Sequence, residues 1–283
     1  MKHLTKALAA VAVAVVAGAG GIMAADGPLN RLTPEEESAG WILLFDGKTL
    51  NGWEDPSRET PPGDAWVVKN GCIKAVGRPR IREDLLTLET FENFELSFEW
   101  RISPEGNSGV KYRVQDRALI QLGKRNPDAR RFEDLVDYEL RNRLSARSSV
   151  SAKTQPEEYL VAFEYQVIDN DGHRDARRGP LYQAGAIYGM IPAEGGQPRP
   201  VGEFNQSRIV LRGNHVEHWL NGVKVVDTEL DAAPIVEGLE KRWGKESPVY
   251  RLLTEQPKKS TPVALQHHVD EAWYRNIKIR RLP

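Results

Sequence analysis

The chain has 283 residues and a formal net charge of −1, from 39 Lys and Arg against 40 Asp and Glu. That balance argues against nucleic acid as the main partner. Cys72 is the single cysteine, so no intramolecular disulfide can form and stability must come from packing. In its strand-like setting Cys72 reads as a small buried apolar residue.

Residues 1–25 carry Lys2, His3 and Lys6, then an uncharged Ala/Val/Gly run over 7–21. This is the charged start and short apolar stretch of a secretory signal peptide, with no cysteine near the junction for a lipid anchor. Cleavage fits either the small-x-small triplet at 17–19 or a cut after Ala24 or Ala25. The expected location is the periplasm or outside the cell, with no membrane contact after cleavage. About 258 residues then remain, enough for one large domain over 38–283.

The stretch Leu44-Phe45-Asp46-Gly47-Lys48-Thr49-Leu50-Asn51-Gly52-Trp53 is an apolar run broken by Asp-Gly and Asn-Gly turns before a Trp anchor. It predicts a β-rich domain whose first strand begins near Trp41. Further strands are predicted at 65–68, 72–76, 85–88, 94–102, 110–114, 159–168 and 184–189. A hairpin follows, 207–212 to 215–220 through Gly213-Asn214, then Asn221-Gly222 leads into 223–227 and a last strand spans 272–280. Two regions break the pattern. Residues 128–145 place Phe132, Leu135, Val136, Leu140 and Leu144 at helical spacing, inside an insertion over about 117–156. A second helix is predicted around 235–243, followed by a loop rich in Pro and Lys. Many short strands joined by Gly/Asn turns give an all-β sandwich or jelly roll with helical insertions.

Alternation puts Lys111 and Arg113 on one strand face, opposite Val110, Tyr112 and Val114. It likewise puts Glu164 and Gln166 together, opposite Phe163, Tyr165 and Val167. In one curved sheet these four polar residues line a concave surface; the alternative is an ordinary solvent-facing sheet. Asp169-Asn170-Asp171-Gly172-His173 offers oxygens for a cation such as Ca²⁺, yet lacks the acidic ladder of an EF-hand and reads equally as a β-turn. His267 and His268 point oppositely in a strand and would not chelate one metal together. No zinc-type cluster, nucleophile elbow, phosphate loop or dinucleotide fingerprint is present, so no metal ligands and no cofactor are assigned, with a divalent cation left open.

Several blocks, in order, resemble the 3-keto-disaccharide hydrolase domain family (DUF1080). They are the 44–53 stretch, Gly106-Asn107-Ser108-Gly109-Val110, Glu164-Tyr165-Gln166-Val167-Ile168-Asp169, and Tyr182-Gln183-Ala184-Gly185-Ala186-Ile187-Tyr188. Gly202-Glu203-Phe204-Asn205-Gln206-Ser207-Arg208, His218-Trp219-Leu220-Asn221-Gly222-Val223, and Leu265-Gln266-His267-His268 with Trp273-Tyr274-Arg275-Asn276-Ile277 complete the set. The chain departs from the family at Phe204, where Trp is usual, and at Val269, where Gly usually follows the histidine. The second departure bears on the shape of that loop.

The resemblance implies a concanavalin A-like jelly roll of two antiparallel sheets acting on glycosides oxidised at C3, that is, 3-keto-glycosides. A C3 ketone acidifies the C2 proton, so a base can form an enediolate, expel the C1 substituent and let water add. On this reading Glu164 or His268 is the base, and Lys111 and Arg113 face the enediolate oxygen. Tyr188 is a proton donor or stacking surface. Asn107, Gln166 and Asp169 are sugar or metal contacts, and Asn205 and Gln266 join the substrate-binding set. The rival readings are a non-catalytic carbohydrate-binding lectin on the same fold and an ordinary glycoside hydrolase with two facing carboxylates.

Overall fold

A computed structural model describes residues 29–55, 63–79, 83–121, 130–131 and 156–283. The leader and all but two residues of the expected 128–145 helix lie outside these. Two antiparallel sheets pack face to face as a jelly-roll sandwich, as the alternation predicts.

In chain order, helix α1 (Pro34–Ser38) is closed by a Thr33/Glu36 capping box. Strands β1 (Trp41–Leu43), β2 (Trp53–Glu54), β3 (Trp66–Lys69), β4 (Cys72–Ala75) and β5 (Leu85–Thr87) follow. The two long central strands are β6 (Phe94–Ile102) and β7 (Asn107–Gln121); β7 is paired by the short β8 (Arg130–Arg131) and by β9 (Pro156–Ile168). Next come β10 (Asn205–Arg212), β11 (His215–Leu220) and β12 (Val223–Glu229), helices α2 (Ala233–Trp243) and α3 (Pro248–Thr254), and finally β13 (Ala264–His267) and β14 (Ala272–Arg281). The larger sheet runs β12-β11-β10-β6-β14-β4-β3, with β1 also on β14; the smaller runs β2-β5-β13-β7-β8, with β9 also on β7.

The 44–53 stretch builds the fold rather than the site. Asp46 accepts the backbone N–H of Lys48 (2.8 Å) and Thr49 (2.7 Å), tightening the first turn. Trp53 is buried and donates Nε1–H to Leu44 O at 2.6 Å. Between the sheets, Phe94, Leu96, Phe98 and Trp100 of β6 meet Val110, Tyr112, Phe163 and Tyr165 of β7 and β9. Phe98 and Tyr165 touch edge to face at 5.5 Å. The polar tips that enter this core are bonded: Ser207 joins Trp100 Nε1 (2.8 Å) to the Tyr165 hydroxyl (2.7 Å). His218 donates from Nδ1 to Gly185 O (2.8 Å) and accepts the Tyr112 hydroxyl at Nε2 (3.0 Å). Burial pushes the His218 pKa down to about 4, so it is a neutral structural residue.

Three expectations about elements change. Residues 184–189 form turns, not a strand: Gly185 (φ 87°) and Gly189 (φ 73°) take left-handed conformations, leaving only Ile187 to bridge Tyr165. Strand β7 continues to Gln121, past the point near 117 where an insertion was expected, and Arg130–Arg131 are strand, not helix. The loop after α2 contains α3, started by a Ser247 side chain that accepts the Val249 N–H at 3.2 Å. Among the described residues no helix is long and apolar enough to cross a membrane.

Candidate active site

The smaller sheet brings Lys111, Glu164 and Ala264 into one cross-strand row, and Gly109, Gln166 and Gln266 into the next. Lys111, Glu164, Gln166 and Gln266 therefore share the face turned away from the sandwich core, as expected for the first three. Gly109 makes this row possible, since a Cβ there would lie 2.8 Å from the Glu164 carboxylate. Leu86, Val114, Leu160, Ala162 and Ala264 form a small apolar cluster beside these residues, so this is no ordinary wet sheet face.

Glu164 is 7 % exposed. It accepts Gln266 Nε2–H at Oε2 (2.8 Å), and Gln166, with its amide turned so that both ends are satisfied, donates to Oε1 (3.1 Å). Burial raises the Glu164 pKa; Lys111 and Arg242 pull it back, Asp84 opposes them, and the net result is about 7. Lys111 is buried, bonds Asp84 Oδ2 at 2.7 Å and lies 5.1 Å from the Tyr159 ring centre. Burial works against its charge, but Asp84, Tyr159 and Glu164 outweigh that and hold its pKa above the ordinary lysine value.

Segment 184–189 closes one side of this face. Tyr188 N–H donates to Glu164 O (3.1 Å) and Gln166 N–H to Ala186 O (3.1 Å), pinning the turns along β9. Tyr188 packs edge to face on Tyr182 at 5.4 Å, and burial pushes its pKa up to about 12. Arg242, from the end of α2, lies over the Tyr188 ring at 4.6 Å and over Trp243 at 5.1 Å. Burial disfavours its charge, yet Tyr159, Tyr188 and Glu164 more than offset this. Among the described residues its guanidinium has aromatic neighbours but no ion pair, which leaves its N–H donors for a ligand.

Gln266 Oε1 and Asn107 Oδ1 are buried and accept no hydrogen bond. Such orphaned acceptors cost stability unless a donor arrives, and hydroxyl groups of a sugar would supply one. At the end of β13, His268 lies 6.2 Å from His173 between ring centres, and the ligating atoms of His173, His268 and Asp270 are all within 4.8 Å of one another.

Three expected site residues lie elsewhere. Arg113 leaves the face of Lys111 because β7 is irregular between Tyr112 and Asp116 and Arg113 takes φ 54°. Its guanidinium donates to Gly213 O, with Glu92 nearby. The Asp169 carboxylate accepts backbone N–H groups of Glu105 (2.8 Å), Asp171 (3.1 Å) and Gly172 (2.9 Å), which holds a turn away from the row of Lys111 and Glu164. Asn205 belongs to the other sheet, and its Oδ1 accepts from Arg199 N (2.7 Å) and Asn221 Nδ2 (2.9 Å). Asp84, Tyr159 and Arg242 were not anticipated. Arg242 was readable only as the polar side of the predicted 235–243 helix, and Asp84 only as a residue flanking a predicted strand.

The site is a buried carboxylate, with Lys111 and Arg242 acting on its charge, on the outer face of the smaller sheet of a jelly roll. Residues 40–280 match the model of the 3-keto-alpha-glucoside-1,2-lyase-like domain, and the chain belongs to that family. It is 29 % identical over 270 residues to the 3-keto-disaccharide hydrolase of Bacteroides thetaiotaomicron, covering 90 % of this chain and 82 % of the relative. A crystal structure of a candidate glycosyl hydrolase from Parabacteroides distasonis superposes with a TM-score of 0.66 at 25 % identity, over 90 % of this chain and all of that one. A second such structure from the same organism gives 0.52 at 23 % identity, over 86 % of this chain and 99 % of that one, and shows the fold alone.

Proposed function

We propose that the protein is an exported glycoside-cleaving enzyme that acts on 3-keto-glycosides by elimination and hydration. The observation that carries this reading is Glu164, a buried carboxylate with its pKa pushed up to about 7 between Lys111 and Arg242. A base tuned to neutral pH is what removal of a carbon-bound proton requires. Glu164 takes the C2 proton, and the C–H electrons move into the C2–C3 bond and onto the C3 oxygen. Arg242, whose N–H donors meet no protein acceptor among the described residues, stabilises that enediolate oxygen, a role Arg113 cannot fill with its guanidinium turned to Gly213 O. Collapse of the enediolate breaks the C1–O bond, and the Tyr188 phenol protonates the departing oxygen. Water then adds at C1 of the resulting enone and C2 regains a proton.

An ordinary glycosidase needs a second carboxylate free to act. Asp84 is nearby, but its Oδ2 holds Lys111 and its Oδ1 accepts the His267 N–H at 2.9 Å. The name and membership of the relatives support the keto-sugar reading. The test is to incubate the protein with a 3-keto-glucoside and with its unoxidised parent and follow aglycone release. Turnover of the ketone alone is expected. Equal turnover of both would sink the elimination, and binding without turnover would favour the lectin.

A further inference from the structure

We propose that His173, His268 and Asp270 bind one divalent first-row transition-metal ion, at a site independent of the base assignment made for Glu164. The residues come from two loops: His173 follows β9, while His268 and Asp270 follow β13. Their ligating atoms all lie within 4.8 Å of one another. Ions held at about 2.0–2.2 Å by N and O ligands need those ligands roughly 3 to 4 Å apart, so small side-chain rotations complete the set.

The backbone is arranged to present these groups. Val269, between His268 and Asp270, takes φ 65° although it is β-branched and 41 % exposed. A left-handed conformation at a β-branched residue costs on the order of 1–3 kcal/mol, and here it is held by the Val269 N–H, which donates to His267 Nδ1 (3.2 Å), and by Val269 O, which accepts the Arg78 N–H (2.9 Å). Its geometric result is that its two neighbours reach one cluster. Asp270 is held by the Asn107 N–H, which donates to Oδ2 at 3.1 Å, leaving the other carboxylate oxygen for an ion. Asn107 itself also carries a buried side-chain oxygen that accepts no hydrogen bond. His173 is placed by its N–H to Asp169 O (3.0 Å), which gives the Asp169 turn a purpose.

The donor set selects the ion class. Two imidazoles and one carboxylate suit Zn²⁺, Mn²⁺, Fe²⁺ or Co²⁺, whereas Ca²⁺ and Mg²⁺ favour all-oxygen shells. His173 is buried while His268 and Asp270 are half-buried, so the open side leaves positions for water or an oxygen ligand. Binding carries a local cost at His173. Nδ1 of His173 accepts the Asp175 N–H at 3.0 Å, and a metal on either ring nitrogen displaces that bond. Among the described residues the other grouping of this kind, His215, Glu217 and Asp227, is already committed. His215 Nε2 bonds Asp227 Oδ1 (2.8 Å), Trp219 Nε1 donates to Glu217 Oε2 (2.8 Å), and the Lys224 ammonium pairs with both acids.

The test uses the full chain, stripped with chelator and titrated without substrate by Zn²⁺, Mn²⁺ and Co²⁺ in turn, with calorimetry, thermal midpoint and the Co²⁺ visible spectrum as readouts. Saturable uptake of a single ion is expected, with a raised midpoint and a Co²⁺ spectrum distinct from the aquo ion. His173→Gln, His268→Gln and Asp270→Asn should each weaken uptake about tenfold or more, and His215→Gln should leave it unchanged. Failure of the native chain to bind any of the three ions overturns the proposal, as does native-like affinity in all three site variants or loss on His215→Gln. Because no sugar is present, none of these results depends on the keto-glycoside reading. The native spectrum decides the matter even if a variant misfolds.

Discussion

Replacing Glu164 by Gln separates the energetic cost of this carboxylate from its use. Its pKa is 4.5 in the unfolded chain and about 7 in the fold. The folded state therefore binds the proton more tightly, and stability is full below pH 4.5 and falls as pH rises toward 7. At about 1.4 kcal/mol per pKa unit, a shift of this size amounts to on the order of 3 kcal/mol at pH 8. Gln cannot ionise, so the stability of Glu164→Gln relative to the native protein should improve by roughly that amount between pH 4 and pH 8. Urea unfolding at the two pH values measures it, and the other carboxylates cancel in the difference. The same variant should lose nearly all turnover. A relative stability that does not change with pH would refute burial as the source of the raised pKa.

Further outcomes follow from the neighbours. In the native enzyme kcat/KM should rise with pH through about 7 as Glu164 ionises. Lys111→Met removes a charge that lowers this pKa, so the acid limb should move to higher pH. It should also cost about 3–5 kcal/mol by stranding Asp84, read by urea unfolding. Arg242→Gln should lower kcat by about 100-fold or more, as loss of one oxyanion donor does. Arg113→Gln should leave kcat unchanged while lowering the thermal midpoint, because its guanidinium serves the Gly213 loop. Val269→Gly should hold or raise the thermal midpoint by relieving the left-handed valine.

The fold was legible because it depends on local signals. Alternation in β6, β7 and β9 and Gly/Asn turns declare themselves within a few residues, and α2 fell where its apolar spacing put it. The row of Lys111, Glu164 and Gln166 was legible for the same reason, since alternation carries side chains to one face. Arg113 was misplaced because a bulge within β7 resets that alternation and leaves no mark in the sequence. Segment 184–189 looked like a strand until its two glycines took left-handed turns. Asp84, Tyr159 and Arg242 could not be read, since only tertiary packing brings a loop acid and a helix end to a sheet face. The cluster of His173, His268 and Asp270 was not legible for the same reason: of the adjacent pair His267-His268, His267 turns inward, to Trp66 at 5.5 Å and Val76 O at 2.9 Å, and the partners of His268 come from other positions in the chain.

The central claim is that Glu164 removes a proton from C2 and that the sugar passes through an enone. Running the reaction on a 3-keto-glucoside in D₂O and examining the released sugar by NMR tests it most directly. The account predicts deuterium at C2 of the product, introduced only when Glu164 is intact. A product that keeps its original C2 hydrogen while the glycosidic bond is cleaved at full rate would contradict it.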